Sequence, residues 1–333
     1  MRPTRPIKIE RLDMTHRRWY VGMIVVVALS AGATAACNRA SRPEGAAKKP
    51  VVGVSLLTQT HAFYKELEDG LREEASARGI DLIVVACEMD PAKQAAQIED
   101  FVAQRVSAIL VAPCDSSAIG SHLAGPERAA IPVFSADIAV RAGKVVSHVA
   151  SDNVQGGRLA ARTLAGLLGD KGRVLIIDQP EVASVQDRVR GFDEEMAKHP
   201  QIEIVGRPSG SGQRARAMAV MEDMLQAHRD LNGVFGINDD SALGATSVIE
   251  SAGRKDIAVV GYDATSEAQA AIRKGGPLKA DVVQYPKKIG KTAVQMIARF
   301  LAGEQVPPLV SVEVGVVDAK FLAAQNTPQQ TAR

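Results

Sequence analysis

The sequence predicts an α/β protein of two doubly wound parallel-sheet lobes, and three observations carry that expectation. Short apolar, β-branched runs alternate with amphipathic helical stretches, the pattern of parallel sheets covered by helices on both faces. The runs fall into two sets of five, each set about the size of one doubly wound lobe. The chain has 333 residues, 46% hydrophobic and 23% charged, which is ample for two packed cores and argues against disorder.

Taken in order, residues 1–36 are set apart as an export signal. Arg2, Arg5, Lys8, Arg11, Arg17 and Arg18 precede the apolar run VGMIVVVALSAGATAAC, which is too short and too weakly flanked for a spanning helix. It ends at Thr34-Ala35-Ala36-Cys37, small residues before a cysteine, as in a bacterial lipoprotein site whose cysteine receives lipid. Ala33-Thr34-Ala35 would equally suit ordinary signal peptidase. Arg17-Arg18 lacks the rest of a twin-arginine motif. Residues 37–50 are polar and rich in Pro, Gly and Ala, as expected of a tether between membrane and folded body.

The first five strands are VVGVSLL (51–57), DLIVVAC (81–87), AILVA (108–112), PVFSA (132–136) and VVSHVA (145–150). Between the first two lies FYKELEDGLREEASARG, where Phe63, Leu67 and Leu71 recur at a spacing of four and Gly79 ends the helix. At the junction VVSHVASDNVQGG the chain crosses to the second set through Ser151 to Asn153. Asp152 is placed to cap a helix with Gln155 three residues on. Gly156 and Gly157 leave that helix bare enough for close packing, at a cost in helix propensity. The second set is RVLIID (173–178), IEIVG (202–206), GVFGI (233–237), IAVVG (257–261) and KADVVQ (279–284).

Several function classes are disfavoured by composition. Removing the segment before Cys37 takes six of 40 basic and two of 38 acidic residues, leaving 34 against 36. The mature chain is near neutral and gives no electrostatic case for nucleic acid. No His stands at ligand spacing, so neither a metal nor a cofactor is expected. Cys87 and Cys114 fall at the ends of separate strands. Export permits a disulfide, but the plainer reading is two free, half-buried thiols. Gly290-Lys291-Thr292 resembles the end of a phosphate loop, yet Tyr285 stands where its first glycine should be, so it reads as helix. Gly210-Ser211-Gly212 is only a loose dinucleotide fingerprint and reads as a cleft loop. The scattered histidines, with no GxSxG and no HExxH, do not compose a catalytic site.

In open α/β sheets ligands bind beyond the carboxyl ends of the strands, so the residues there are candidate contacts. They include Thr58 to Tyr64, Asp137, Ser151 to Asn153, Asp178 and Gln179, Ser209 to Gln213, Asn238 to Asp240, Tyr262 and Asp263, and Gln284. Carboxylates and amides that pair with hydroxyls, beside aromatic faces that cover a ring's C–H face, suit a neutral polyhydroxyl ligand. The single Trp leaves with the signal, and Tyr64, Tyr262 and Tyr285 remain.

The stretches AFYKELEDGLREEA, DPAK, AIPVFSAD, VVSHVASDNVQGG, FGINDDSALGA, VVGYDAT and QYPKKIGK resemble the bacterial ribose-binding family, the periplasmic sugar receptors of ABC transporters, over nearly all of residues 51–318. The resemblance implies the type I periplasmic binding protein fold, with the lobes joined by a three-segment hinge and a sugar held between them. The lobes would be 51–151 with 285–312, and 152–284 with 313–322, leaving 323–333 as a flexible tail. It implies that Asp137 takes a pair of sugar hydroxyls, that Arg188 is the cleft arginine, and that Asn238, Asp263 and Gln284 are further polar contacts. Phe63, Tyr64 and Tyr262 would be aromatic walls, with His61 and Ser151 as added contacts.

Departures are also visible. Ile138 follows Asp137 where the ribose pattern has arginine, His61 replaces Asn, Ala62 replaces Pro, and Gly212 falls where an aromatic wall is expected. These weaken ribose itself and leave room for a larger or differently substituted sugar or polyol. The expected function is capture of such a ligand for an ABC permease, by a monomer anchored to the membrane through Cys37. The alternative is a sensory subunit for a membrane receptor or kinase. A LacI-like effector core would need a cytoplasmic site, which the export signal opposes, and an enzyme acting on a sugar is the least favoured reading.

Overall fold

A computed structural model describes residues 49–325. The signal, Cys37 and nearly all of the tether therefore lie outside the described residues, as do residues 326–333. Among the described residues no helix is long and apolar enough to cross a membrane.

The first lobe alternates β1 (Val51–Leu56), α1 (Ala62–Ala77), β2 (Asp81–Ala86), α2 (Pro91–Ala103), β3 (Ala108–Val111), α3 (Ala124–Arg128), β4 (Val133–Ala136) and β5 (His148–Ser151). The second continues with α4 (Asn153–Leu168), β6 (Lys171–Ile177), α5 (Ala183–Met196), β7 (Gln201–Gly206), α6 (Arg214–Ala227) and β8 (Gly233–Gly236). It ends with α7 (Asp239–Ser251), β9 (Ala258–Asp263), α8 (Ser266–Lys274) and β10 (Leu278–Val283). The chain then returns through α9 (Pro286–Leu301) and β11 (Leu309–Val312) and crosses again to β12 (Gly315–Asp318) and α10 (Ala319–Gln325). Helix α10 thus runs three residues into the segment expected as tail.

Among the described residues each sheet has six strands, ordered β11-β5-β4-β3-β1-β2 and β12-β10-β9-β8-β6-β7. The sequence reading of five per lobe missed β11 and β12. Each is only four residues long and sits at a sheet edge with mixed burial, so neither shows a sustained apolar run. β11 pairs parallel with β5, and β12 antiparallel with β10. Central strands β3, β4, β8 and β9 are buried at every position, whereas the edge strands β2 and β7 are not. Helices on both faces of the sheet account for this difference.

Local chemistry fixes the helix starts. Asp90 accepts from the Ala92 and Lys93 N–H groups ahead of Pro91, Asp152 from Gln155 (3.0 Å), Asn238 from Ser241 (2.9 Å) and Thr265 from Ala268. Glycines set two close helix crossings. In α4–α5 a Cβ on Gly157 would overlap the Arg188 carbonyl oxygen, and one on Gly191 the Val154 carbonyl oxygen. In α1–α9 Gly70 and Gly290 meet the Lys287 and Leu67 carbonyl oxygens in the same way.

Cys87 and Cys114 are buried and joined as a disulfide, with Cα atoms 6.7 Å apart. This corrects the expectation of free thiols. Because β2 and β3 flank β1 in the sheet, the loops after them converge over the end of β1, a proximity that strand spacing in sequence does not reveal. The bond closes a 27-residue separation. Removing it in C87S/C114S is expected to cost about 3 kcal/mol, read as a lower denaturant midpoint. A midpoint equal to that of the parent protein would show that the bond adds nothing.

Candidate functional site

The strand ends of both sheets face one another across a cavity lined from both lobes. The lobes touch at both sides of it. On one side the Ser116 N–H donates to the Glu181 carbonyl (3.1 Å), the Ala183 N–H donates to Ser116 Oγ (2.8 Å), and Arg141 reaches Gln186 and Asp187. On the other, His61 Nε2 lies 3.5 Å from Asp263 Oδ2 and 3.9 Å from Asp240 Oδ2. The ring of His61 caps α1, its Nδ1 accepting the Phe63 N–H (3.1 Å), so its proton is on Nε2, toward the opposite lobe. The structure is therefore closed.

Asp137 follows β4 with φ +64. It is 4% exposed. Tyr64 donates its hydroxyl to Asp137 Oδ2 (2.6 Å), and Asp137 Oδ1 has no protein partner among the described residues. Burial pushes this carboxyl up to about 6, against the opposing pull of the Arg188 charge and the Tyr64 hydroxyl. An acceptor buried with nothing to accept is costly unless a ligand completes it.

Arg188 on α5 is held from three directions. Nε donates to Asn153 Oδ1 (2.9 Å), Nη1 donates to the Ile237 carbonyl (2.7 Å), and the guanidinium lies 3.9 Å over the Tyr262 ring. It still lines the cavity, with N–H groups beyond those two bonds available to a ligand.

Asp263, with φ +117, accepts from Gln284 Nε2 (2.6 Å) and from the Asp239 N–H (3.4 Å). Gln284 Oε1 is buried without a protein partner among the described residues. Behind Asp263, burial and the Asp263 charge raise Asp239 to about 7, and burial and the neighbouring Asp239 raise Asp281 well above the usual carboxylate range. Their backbone partners are the Thr265 and Ala264 N–H groups. Asp137, Asp263, Met89 and Gly212 all reach the cavity from backbone with positive φ. Such conformations collect where side chains must be aimed at a ligand.

Eight of the ten residues singled out from sequence line this cavity: His61, Phe63, Tyr64, Asp137, Arg188, Asn238, Asp263 and Gln284. Two do not. Tyr262 is fully buried beneath Arg188, its hydroxyl donating to Asn153 Oδ1 (3.3 Å), so it supports the arginine rather than forming a wall. Ser151 ends β5 in the hinge crossing, 6% exposed, with no partner for its hydroxyl among the described residues. Asn238 is partly committed elsewhere, capping α7 and donating to the Gly212 carbonyl (3.1 Å).

Also on the wall are Met89, Gln179, Val182, Val185, Gln213 and Asp240. Gln179, Gln213 and Asp240 stood among the strand-end candidates but were not carried into the site. Met89 lies just past β2, where the same rule would have found it. Val182 and Val185 belong to a helix start and carry no polar signal.

Residues 52–305 match a family model described as a periplasmic binding protein domain. The chain is 36% identical over 268 residues to the ribose import binding protein of Bacillus subtilis, covering 80% of this chain and 87% of that one. In structure it is similar to an ABC transporter solute-binding protein from Mycobacterium smegmatis with bound glycerol. That likeness has a TM-score of 0.79 at 34% identity and covers 83% of this chain and 96% of the other. A solute-binding protein from Agrobacterium vitis bound with alpha-D-tagatopyranose gives a TM-score of 0.79 at 29% identity, covering 84% and 97%.

Proposed function

The chain belongs to the periplasmic binding protein family, and from that premise we propose that it captures one neutral sugar or polyol between its closing lobes and delivers it to an ABC permease. The observation that carries this is Asp137 Oδ1, an acceptor buried in a closed cavity with no protein partner among the described residues, set beside the anchored fork of Arg188. A hydroxyl pair can donate to the carboxylate and accept from the guanidinium together. The Phe63 and Tyr64 rings, 5.2 Å apart and edge-to-face, supply cover for a C–H face. Relatives named as import binding proteins support the transport role.

The ligand closes the cleft by contacting both lobes, so the closed form is the one presented to the permease. The family is one of binding proteins, and no chemistry is assigned to the cavity. Export, anchoring at Cys37 and action as a monomer complete the proposal. Export and anchoring rest on the basic leader, its short apolar run and Ala35-Ala36-Cys37.

Thermal unfolding of the mature protein with pentoses, hexoses, inositols and sugar alcohols tests this reading. A ligand bound only by the folded state at 1,000 times its Kd adds about 4 kcal/mol, a rise in Tm of about 10 °C. If no polyol moves the midpoint, the sugar-binding reading is wrong.

A further inference from the structure

Resting on the sugar-binding reading above, we propose that the cavity is shaped for a deoxy sugar, with hydroxyls paired at one side and a methyl or deoxygenated carbon held against an apolar row at the other. The sheet order β4-β3-β1-β2 sets four strand ends side by side. Ile138 follows β4, Leu57 follows β1 and Met89 lies past β2. All three line the cavity.

At the end of β3, between them, Ser116 hydrogen-bonds the Glu181 carbonyl and the Ala183 N–H. Those bonds fix the first turn of α5 opposite the row. Val182 and Val185 therefore cover it from the other lobe, 1% and 3% exposed. Leu57, Ile138, Val182 and Val185 belong to one apolar cluster spanning both lobes, and the half-buried Met89 packs against it. Polar side chains gather around Tyr64–Asp137 and around His61–Asp263–Gln284, and Thr58, Gln179 and Ser184 line the same cavity.

The row is also held rigid. The Met89 N–H donates to the Leu57 carbonyl (3.3 Å) and the Cys87 N–H to the Leu56 carbonyl (2.9 Å). The Cys87–Cys114 bond ties the loop carrying Met89 to the loop carrying Ser116. A hydroxyl set against this row gives up water and meets five side chains that cannot replace it. A methyl group gains burial there instead.

Calorimetric titration of the mature protein with matched pairs tests the proposal: L-fucose and L-galactose, L-rhamnose and L-mannose, 6-deoxy-D-glucose and D-glucose, 2-deoxy-D-ribose and D-ribose. At least one deoxy sugar should bind about 10- to 100-fold more tightly than its parent. Met89→Asn should shrink that ratio. Asparagine tolerates the left-handed backbone at this position, so the variant keeps the fold, which its unliganded Tm checks.

Parents binding as tightly as their deoxy partners in every pair would overturn the proposal, because Gln179 and Ser184, which also line the cavity, would then be serving the extra hydroxyl. An unchanged ratio in Met89→Asn would also count against it. Binding of parent sugars alone would leave the sugar receptor standing and remove only the deoxy preference. Absence of binding by any sugar or polyol would remove both.

Discussion

Asp137→Asn is expected to lower sugar affinity about 100-fold or more while leaving the unliganded protein at least as stable as the parent. The affinity term comes from charged hydrogen bonds to ligand hydroxyls, worth about 1.5–3 kcal/mol each. The stability term has the opposite sign. The carboxyl is raised from 3.8 to about 6 in the folded protein, so between those values the folded state holds a proton that the unfolded state has released. Stability contributed by this group is full below about pH 4 and falls as pH rises to 6, and above 6 the penalty is complete at about 3 kcal/mol.

Asparagine removes the penalty and its pH dependence, and it can still accept from Tyr64. It also tolerates the left-handed backbone better than alanine would. Affinity of the parent protein should weaken below about pH 6, since ligand hydroxyls donate to the ionised form. Denaturant unfolding at pH 4.5 and 7.5, with titration calorimetry on both proteins, checks all three expectations. A large loss of unliganded stability in the variant would make Asp137 a structural residue rather than a ligand contact.

The strand-end rule recovered most of the cavity because a doubly wound sheet leaves its polar loops at one edge. Asp137, Asp263 and Gln284 were legible for that reason. What sequence could not decide was depth. Tyr262 stands one residue from Asp263, yet alternation along β9 turns its ring beneath Arg188 while Asp263 reaches the cavity. Asn153 was legible as part of a crossing, but its role in holding Arg188 Nε depends on α4 and α5 packing, which only the fold supplies. Cys87 and Cys114 show the same limit. Their proximity follows from β1 lying between β2 and β3, a fact of strand order. The edge strands β11 and β12 were missed because four half-exposed residues carry too little pattern. The glycine pair in VVSHVASDNVQGG was legible as a packing surface, and the structure names what it packs against: Gly156 lies on the Tyr262 hydroxyl and Gly157 on the Arg188 backbone.

That packing makes one substitution act in opposite directions along a single helix. Gly157→Ala and Gly166→Ala both lie in α4, and both gain about 1 kcal/mol of helix propensity. At Gly166 the new methyl meets nothing within 4 Å among the described residues, so the gain is kept and the unfolding midpoint should rise. At Gly157 it would overlap the Arg188 carbonyl and stand 2.8 Å from the Phe192 nitrogen. These are backbone atoms of α5, which no side-chain rotation can move away. Overpacking of this kind costs about 1–3 kcal/mol, and Gly191 seated on the Val154 carbonyl blocks a sliding escape. Separating the helices also draws Arg188 away from Asn153 and Tyr262. Gly157→Ala should therefore lower both stability and sugar affinity, whereas Gly166→Ala should raise stability and leave affinity alone. Denaturant unfolding and calorimetry of the two variants, side by side, read the contrast. Equal stability of Gly157→Ala and the parent would mean that α4 and α5 are free to separate, and that the guanidinium is positioned by something other than this crossing.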